Sequence, residues 1–194
     1  MNMMMFPKML SSHDEGWAWL MRVHPSVMKM MALYVVPMSL IPPAMLLYAA
    51  SAYEEGVLGI PMNRAWALAT IFYIAELVMV PVMAAVIRNI GEVADRRPEY
   101  HDAFAFAAVV PTPLWLSGLA LFVPNLIFIA LVGVVAIAAS VLLIYEGTYR
   151  VFGIDEEGPA QLLTASVVGA GLVGWVAMLG LAFVSWGWAV SFSA

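Results

Sequence analysis

The sequence predicts an all-α, polytopic membrane helix bundle with five transmembrane helices, the N-terminus in the cytoplasm and the C-terminus outside. Three observations carry this. Of 194 residues, 64% are hydrophobic and 11% charged, whereas soluble domains carry about 25% charged residues. A soluble chain this short has too little interior for so much apolar surface. Five long runs are nearly free of charge, and roughly 20 apolar residues suffice for a helix to cross a ~30 Å hydrocarbon core. Finally, Lys and Arg fall almost entirely on one side of those runs.

The first span is expected over Met28–Ala52, interrupted by Pro37, Pro42 and Pro43, and therefore kinked or broken rather than straight. The second is expected over Ala65–Ile87, with Glu76 and Pro81 inside it. The third covers Phe104–Val123, with Pro111 and Pro113. The fourth covers Leu126–Tyr145, joined to the third by little more than "VPN", which requires a tight antiparallel hairpin. The fifth runs from Leu162 to about Val190. Helices are the natural choice because backbone groups in lipid must be satisfied internally, and the alternating short segments of a barrel are missing.

With five spans, the N-terminus, the loop between spans two and three, and the loop between four and five share a side. That side holds Lys8, Arg22, Lys29, Arg88, Arg96, Arg97 and Arg150; the other holds Arg64. The excess sets the N-terminus inside. The uncharged tail "WGWAVSFSA" suits an aromatic belt at the outer face. Residues 1–26 read as a cytoplasmic N-terminus and 27–191 as the transmembrane domain. The start lacks the h-region and cleavage site of a signal peptide, so span one is expected to be retained. In "SSHDEGWAWLMRVHP", Ser12 and Glu15 have capping-box spacing. Trp17, Leu20 and Met21 share a face, as in a short helix lying in the membrane interface.

The chemistry-bearing residues are few. Cysteine is absent and the three histidines, His13, His24 and His101, lie outside the apolar runs. Thiolate chemistry and disulfides are excluded. The net charge of −5 with no polybasic block argues against nucleic acid. No serine–histidine–acid set, phosphate-cradling glycine loop or metal-ligand cluster is apparent. The chain is therefore expected not to be an enzyme and to need no cofactor. The fifteen methionines, among them Met28, Met30, Met31, Met79 and Met83, suit apolar gap-filling better than a soft-metal path without cysteine. His101 beside Asp102 has ligating chemistry, but two residues alone are weak evidence for a metal.

Glu76 stands out at the midpoint of span two. A carboxylate there costs on the order of 3 kcal/mol and marks a functional position by default, so it is expected to face the bundle interior. Tyr34, Ser39, Thr112 and Ser140 are its candidate partners. The functional reading is a proton, cation or ligand site; the bland one is a protonated, hydrogen-bonded packing residue.

At the end of span four, "IYEGTYRVFGID" places Tyr145 and Tyr149 where an aromatic belt would lie. Glu146 and Arg150 have the spacing of a helical ion pair. Gly147 and Gly153 permit close approach or a turn. This segment reads as an interfacial helix end, or more sharply as a patch recognised by a ligand or partner. Asp155, Glu156 and Glu157 suit the start of span five. In that span Ser166, Ala170 and Gly174, with Gly169 and Gly171, allow close packing within the chain or a homo-oligomer contact. The mixed charges of "RNIGEVADRRPEYHDA" suit exposed, mutually neutralising ion pairs.

The segments "HPSVMKMMALYVVPMSLIPPAMLLY", "AVIRNIGE", "PTPLWLSGLALFVPNL" and "LLIYEGTYRVFGIDEEG" resemble the bacterial branch of the Yip family, small inner-membrane proteins related to eukaryotic Rab-GTPase-interacting proteins. The resemblance runs over about His24 to Val176. It implies a five-helix membrane bundle in the bacterial inner membrane with a cytoplasmic N-terminus. It also marks Pro111, Pro113, Trp115, Pro124, Tyr145, Gly147 and Gly153 as motif positions with an architectural role. The long N-terminal domain of eukaryotic members is missing, so GTPase binding does not follow. The expectation is a non-enzymatic membrane-organising or partner-binding scaffold, in contact with the bilayer and with a protein partner at its cytoplasmic face. The alternatives are a small proton- or cation-linked transporter or channel using Glu76, and a lipid-handling protein with a groove along its proline-rich spans.

Overall fold

Five helical spans cross the molecule in the computed structural model, which describes residues 16, 17, 20, 22–53, 62–154 and 157–191. The spans run over Val27–Ala52, Met62–Val93, Tyr100–Phe122, Leu126–Val151 and Glu157–Trp188. All regular structure among the described residues is helical. Spans two, four and five extend well beyond the charge-free runs. Once a backbone helix is formed, polar residues at its ends continue it into the headgroup layer without breaking any hydrogen bond. The last helix itself continues to Ser191.

Span one is segmented. An α-turn at Val27–Met30 passes into a π-helical turn over Met31–Val35, then α-helix over Val36–Ser39, a turn at Leu40, and a final helix over Ile41–Ala52. Pro37, Pro42 and Pro43 lack the N–H that a straight helix would use, and the wider turn preceding Pro37 is one way to absorb that loss. Span three is divided at Val110–Pro111 into Tyr100–Val109 and Thr112–Ser117, and it ends in a 3₁₀ segment, Gly118–Phe122. Pro81, by contrast, lies inside an unbroken helix.

Span three is the most buried of the five and span five the least. Every residue from Ala103 to Val109 is buried, four of the seven being alanine, which lets neighbouring helices approach closely. Asn125 opens span four: its side-chain Oδ1 accepts from the Phe128 N–H at 3.1 Å, a standard N-cap bond. Gly153 closes it with φ of +60°, and the Ile154 N–H donates back to the Tyr149 carbonyl at 3.1 Å. This left-handed exit favours glycine.

Two expectations for the basic end change. Trp17 and Leu20 do not form an outward-facing apolar stripe: they are 2% and 1% exposed, within a buried core to which all five spans contribute. Trp17 meets Phe106 edge-on, with ring centroids 5.4 Å apart. An aromatic side chain of this size gains more from burial against a ring and a glycine than from a half-wet interface. The capping pair Ser12 and Glu15, and Met21, lie outside the described residues. Span four does not end at Tyr145 but continues through Val151, so Glu146 lies inside a packed helix. In the connection from span two to span three, Arg97 and Glu92 pair at 3.2 Å with both side chains about half exposed.

Candidate functional site

Glu76 lies in the middle of span two, 8% exposed, and its Oε2 is buried with no hydrogen-bond partner. None of the four candidate partners bonds to it. The Tyr34 hydroxyl and Thr112 Oγ1 are 2.6 Å from each other, and Thr112 donates to the Val109 carbonyl at 2.6 Å. Ser39 donates to the Val36 carbonyl at 3.4 Å, while Ser140 Oγ is buried without a partner. Span one therefore places its tyrosine at the break in span three, next to the Val109 carbonyl, whose helical donor position is taken by Pro113.

Glu76 instead borders a cavity of about 360 Å³ between spans two, three and five. Volumes of roughly 300–1,000 Å³ are typical of small-molecule sites. Spans two and five contribute thioethers, Met79, Met83 and Met178; span three contributes Pro111 and Trp115. Glu76 is the sole ionisable side chain among the lining residues described. Gly171 and Gly174 of span five supply the space, and a Cβ at Gly174 would lie 3.6 Å from the sulfur atoms of both Met79 and Met83. The span-five wall is thin: Trp175 and Leu179 line the cavity yet remain 37% exposed, so they also form part of the outer surface of the bundle.

The structure thus brings Glu76, Pro111 and Trp115 to one place. Pro113 flanks them in the same short helix, half-buried. Tyr145, Glu146, Gly147 and Arg150 sit elsewhere, at the basic end of span four. Tyr145 and Tyr149 place their hydroxyls 3.3 Å apart. Glu146 Oε2 is buried and unpartnered. Four-residue spacing puts two side chains on one face, but Glu146 is half-buried in the bundle and Arg150 is exposed. Gly147 is occupied by its neighbours: an added Cβ would lie 2.5 Å from Phe106 Cε2 and 2.9 Å from Trp17 Cζ2.

The cavity wall on span five was not among the sequence candidates as a site. Its signal is present in the sequence as the small-residue stripe, which suits packing within the chain or a homo-oligomer contact. Only part of that stripe packs. Ser166 and Gly169 are exposed, whereas Gly171 and Gly174 face the cavity.

Five membrane-length helices around a buried, unpartnered carboxylate define a polytopic membrane protein with an intramembrane cavity. Residues 8–178 match the Yip1 domain, and the chain belongs to the Yip family. It is 34% identical over 122 residues to "Inner membrane protein YohC" of Escherichia coli, in two strains, a match covering 63% of this chain and 62% of each relative. The chain thus spans about 62% of the length of those relatives. No solved structure matches it. It is a multi-pass protein of the bacterial inner membrane.

Proposed function

We propose that this protein holds a membrane-dissolved guest in the cavity beside Glu76, as a non-enzymatic, lipid-handling member of its family. The observation that carries this is a cavity of about 360 Å³ with mostly apolar walls, bordered by Glu76, whose Oε2 is buried and has no hydrogen-bond partner. A buried polar atom left unpaired is costly. A guest with an apolar body and one hydrogen-bonding or cationic group would satisfy the carboxyl and fill the methionine-lined wall together. Thioethers adapt to irregular apolar shapes, and Trp115 and Trp175 offer ring faces to a cation.

Proton or cation transport through Glu76 is less well supported. A conducting path needs further polar groups above and below the acid, and the other lining side chains do not ionise. Partner recognition at the basic face is favoured by one feature, Val93, an apolar side chain 89% exposed at the basic end of span two. That reading needs the basic face to be cytoplasmic, with the N-terminus inside and the C-terminus outside.

Tryptophan quenching in the detergent-purified chain tests the guest reading, with a bromoalkyl amine as probe. Saturable quenching is expected. Glu76→Gln should weaken it about tenfold, the loss of a charge-assisted bond of roughly 1.5 kcal/mol. Gly174→Leu, which fills the cavity, should abolish it. Quenching that is unsaturable, or equal in all three proteins, overturns the reading. Proteoliposome flux with wild type and Glu76→Gln separates transport from holding.

A further inference from the structure

At the basic end, two histidines far apart in sequence meet beside an aspartate. His24 Nδ1 lies 2.7 Å from His101 Nε2 and 3.0 Å from Asp102 Oδ1, and His101 Nε2 lies 3.3 Å from the same Oδ1. The imidazole rings meet edge to face, their centroids 4.8 Å apart. His24 precedes span one, while His101 and Asp102 open span three.

These three atoms cannot all be joined by protons. Asp102 Oδ1, when ionised, only accepts. If His24 Nδ1 carries a proton, it can serve Asp102 at 3.0 Å or a bare His101 Nε2 at 2.7 Å, but the lone pairs of His101 Nε2 and Asp102 Oδ1 then face each other at 3.3 Å. If His24 Nδ1 is bare, it accepts from His101 but turns its lone pair on the carboxylate at 3.0 Å. A single cation above the plane of the triangle, about 2 Å from each atom, removes the conflict, since all three atoms then present lone pairs to it. With metal–ligand bonds of about 2.0–2.1 Å, tetrahedral ligands stand about 3.3 Å apart. The observed edges run from that separation down to 2.7 Å, so the two imidazoles move apart by about 0.6 Å to reach an ideal tetrahedral spacing.

Two further features fit. His101 Nδ1 lies 3.3 Å from Glu99 Oε2. A carboxylate there favours the tautomer with a proton on Nδ1 and leaves Nε2 free to ligate, the arrangement that commonly orients metal-bound histidines. His24 holds φ of +42° immediately before Pro25, an uncommon backbone conformation for a residue with a Cβ. Its N–H is tied to the Leu20 carbonyl at 3.2 Å, which aims its ring at span three. The site is reachable: side-chain exposures are 53% for His24, 28% for His101 and 16% for Asp102.

We propose that His24, His101 and Asp102 bind a divalent first-row transition metal of the zinc type, with a fourth position open to water. The ion would clamp the segment carrying Trp17 and Leu20 to the start of span three. Imidazole nitrogen with carboxylate oxygen suits such ions.

The test is Co²⁺ titration of the detergent-purified full chain, followed by visible absorption. One equivalent with d–d bands is expected in wild type. His24→Ala and His101→Ala should each abolish the bands, and His13→Ala should retain them. Glu99→Gln should bind roughly 10–100-fold more weakly. Circular dichroism of each variant reports folding, and Asp102→Asn, which keeps side-chain size, stands in for any variant that fails to fold. Absence of bands in wild type, or bands that survive both histidine substitutions, overturns the assignment.

Discussion

The Tyr34 hydroxyl lies 2.6 Å from Thr112 Oγ1, tying the π-helical turn of span one to the residue that follows the break in span three. Each irregular turn thus meets the other. Tyr34→Phe and Thr112→Val should each destabilise the detergent-solubilised protein by about 1 kcal/mol. Their combination should show coupling of about 0.6 kcal/mol, typical of hydrogen bonds between membrane helices. A double-mutant cycle from unfolding in denaturing detergent measures it. Strict additivity would show that the hydroxyls do not stabilise each other.

Gly147 should not tolerate a methyl group. Alanine there would press on Phe106 and Trp17 from 2.5 and 2.9 Å, and overpacking of this kind costs about 1–3 kcal/mol. At Gly133, whose added Cβ would meet nothing within 4 Å, alanine should be neutral or slightly stabilising through helix propensity. Thermal unfolding of Gly147→Ala and Gly133→Ala, compared side by side, checks the contrast.

The chain has no cysteine, so single cysteines report topology on a clean background. Ser26 and Ser51 are exposed at opposite ends of span one. With the N-terminus inside, a membrane-impermeant maleimide added to intact spheroplasts should label Ser51→Cys and spare Ser26→Cys until the membrane is opened. The reverse pattern would invert the orientation and place the basic face outside.

The spans were legible because lipid leaves so few ways to satisfy a backbone, and the breaks at Pro37 and Pro111 because proline removes a donor wherever it stands. Glu76 was legible as an interior acid for the same reason. Its surroundings were not, since a cavity is made by what glycine leaves out, and Gly171 and Gly174 look the same in sequence whether a helix or a guest fills the space. Trp17 misled because an apolar face at helical spacing is common to interfacial and docked segments; its partners, Phe106 and Gly147, lie in spans three and four. The meeting of His24 with His101 was half legible. Both precede spans that leave the same side of the membrane, but only packing sets their register.

The seat of Trp17 also fixes an order of events. Trp17 is made before span one, whereas Gly147 is synthesised only when span four is nearly complete. Until then the hole that receives the indole has no fourth wall. The segment carrying Trp17 can take its seat only after four helices have been made. Contacts so distant along a chain form slowly, and an exposed tryptophan in a nascent intermediate is a natural handle for the machinery that attends membrane insertion.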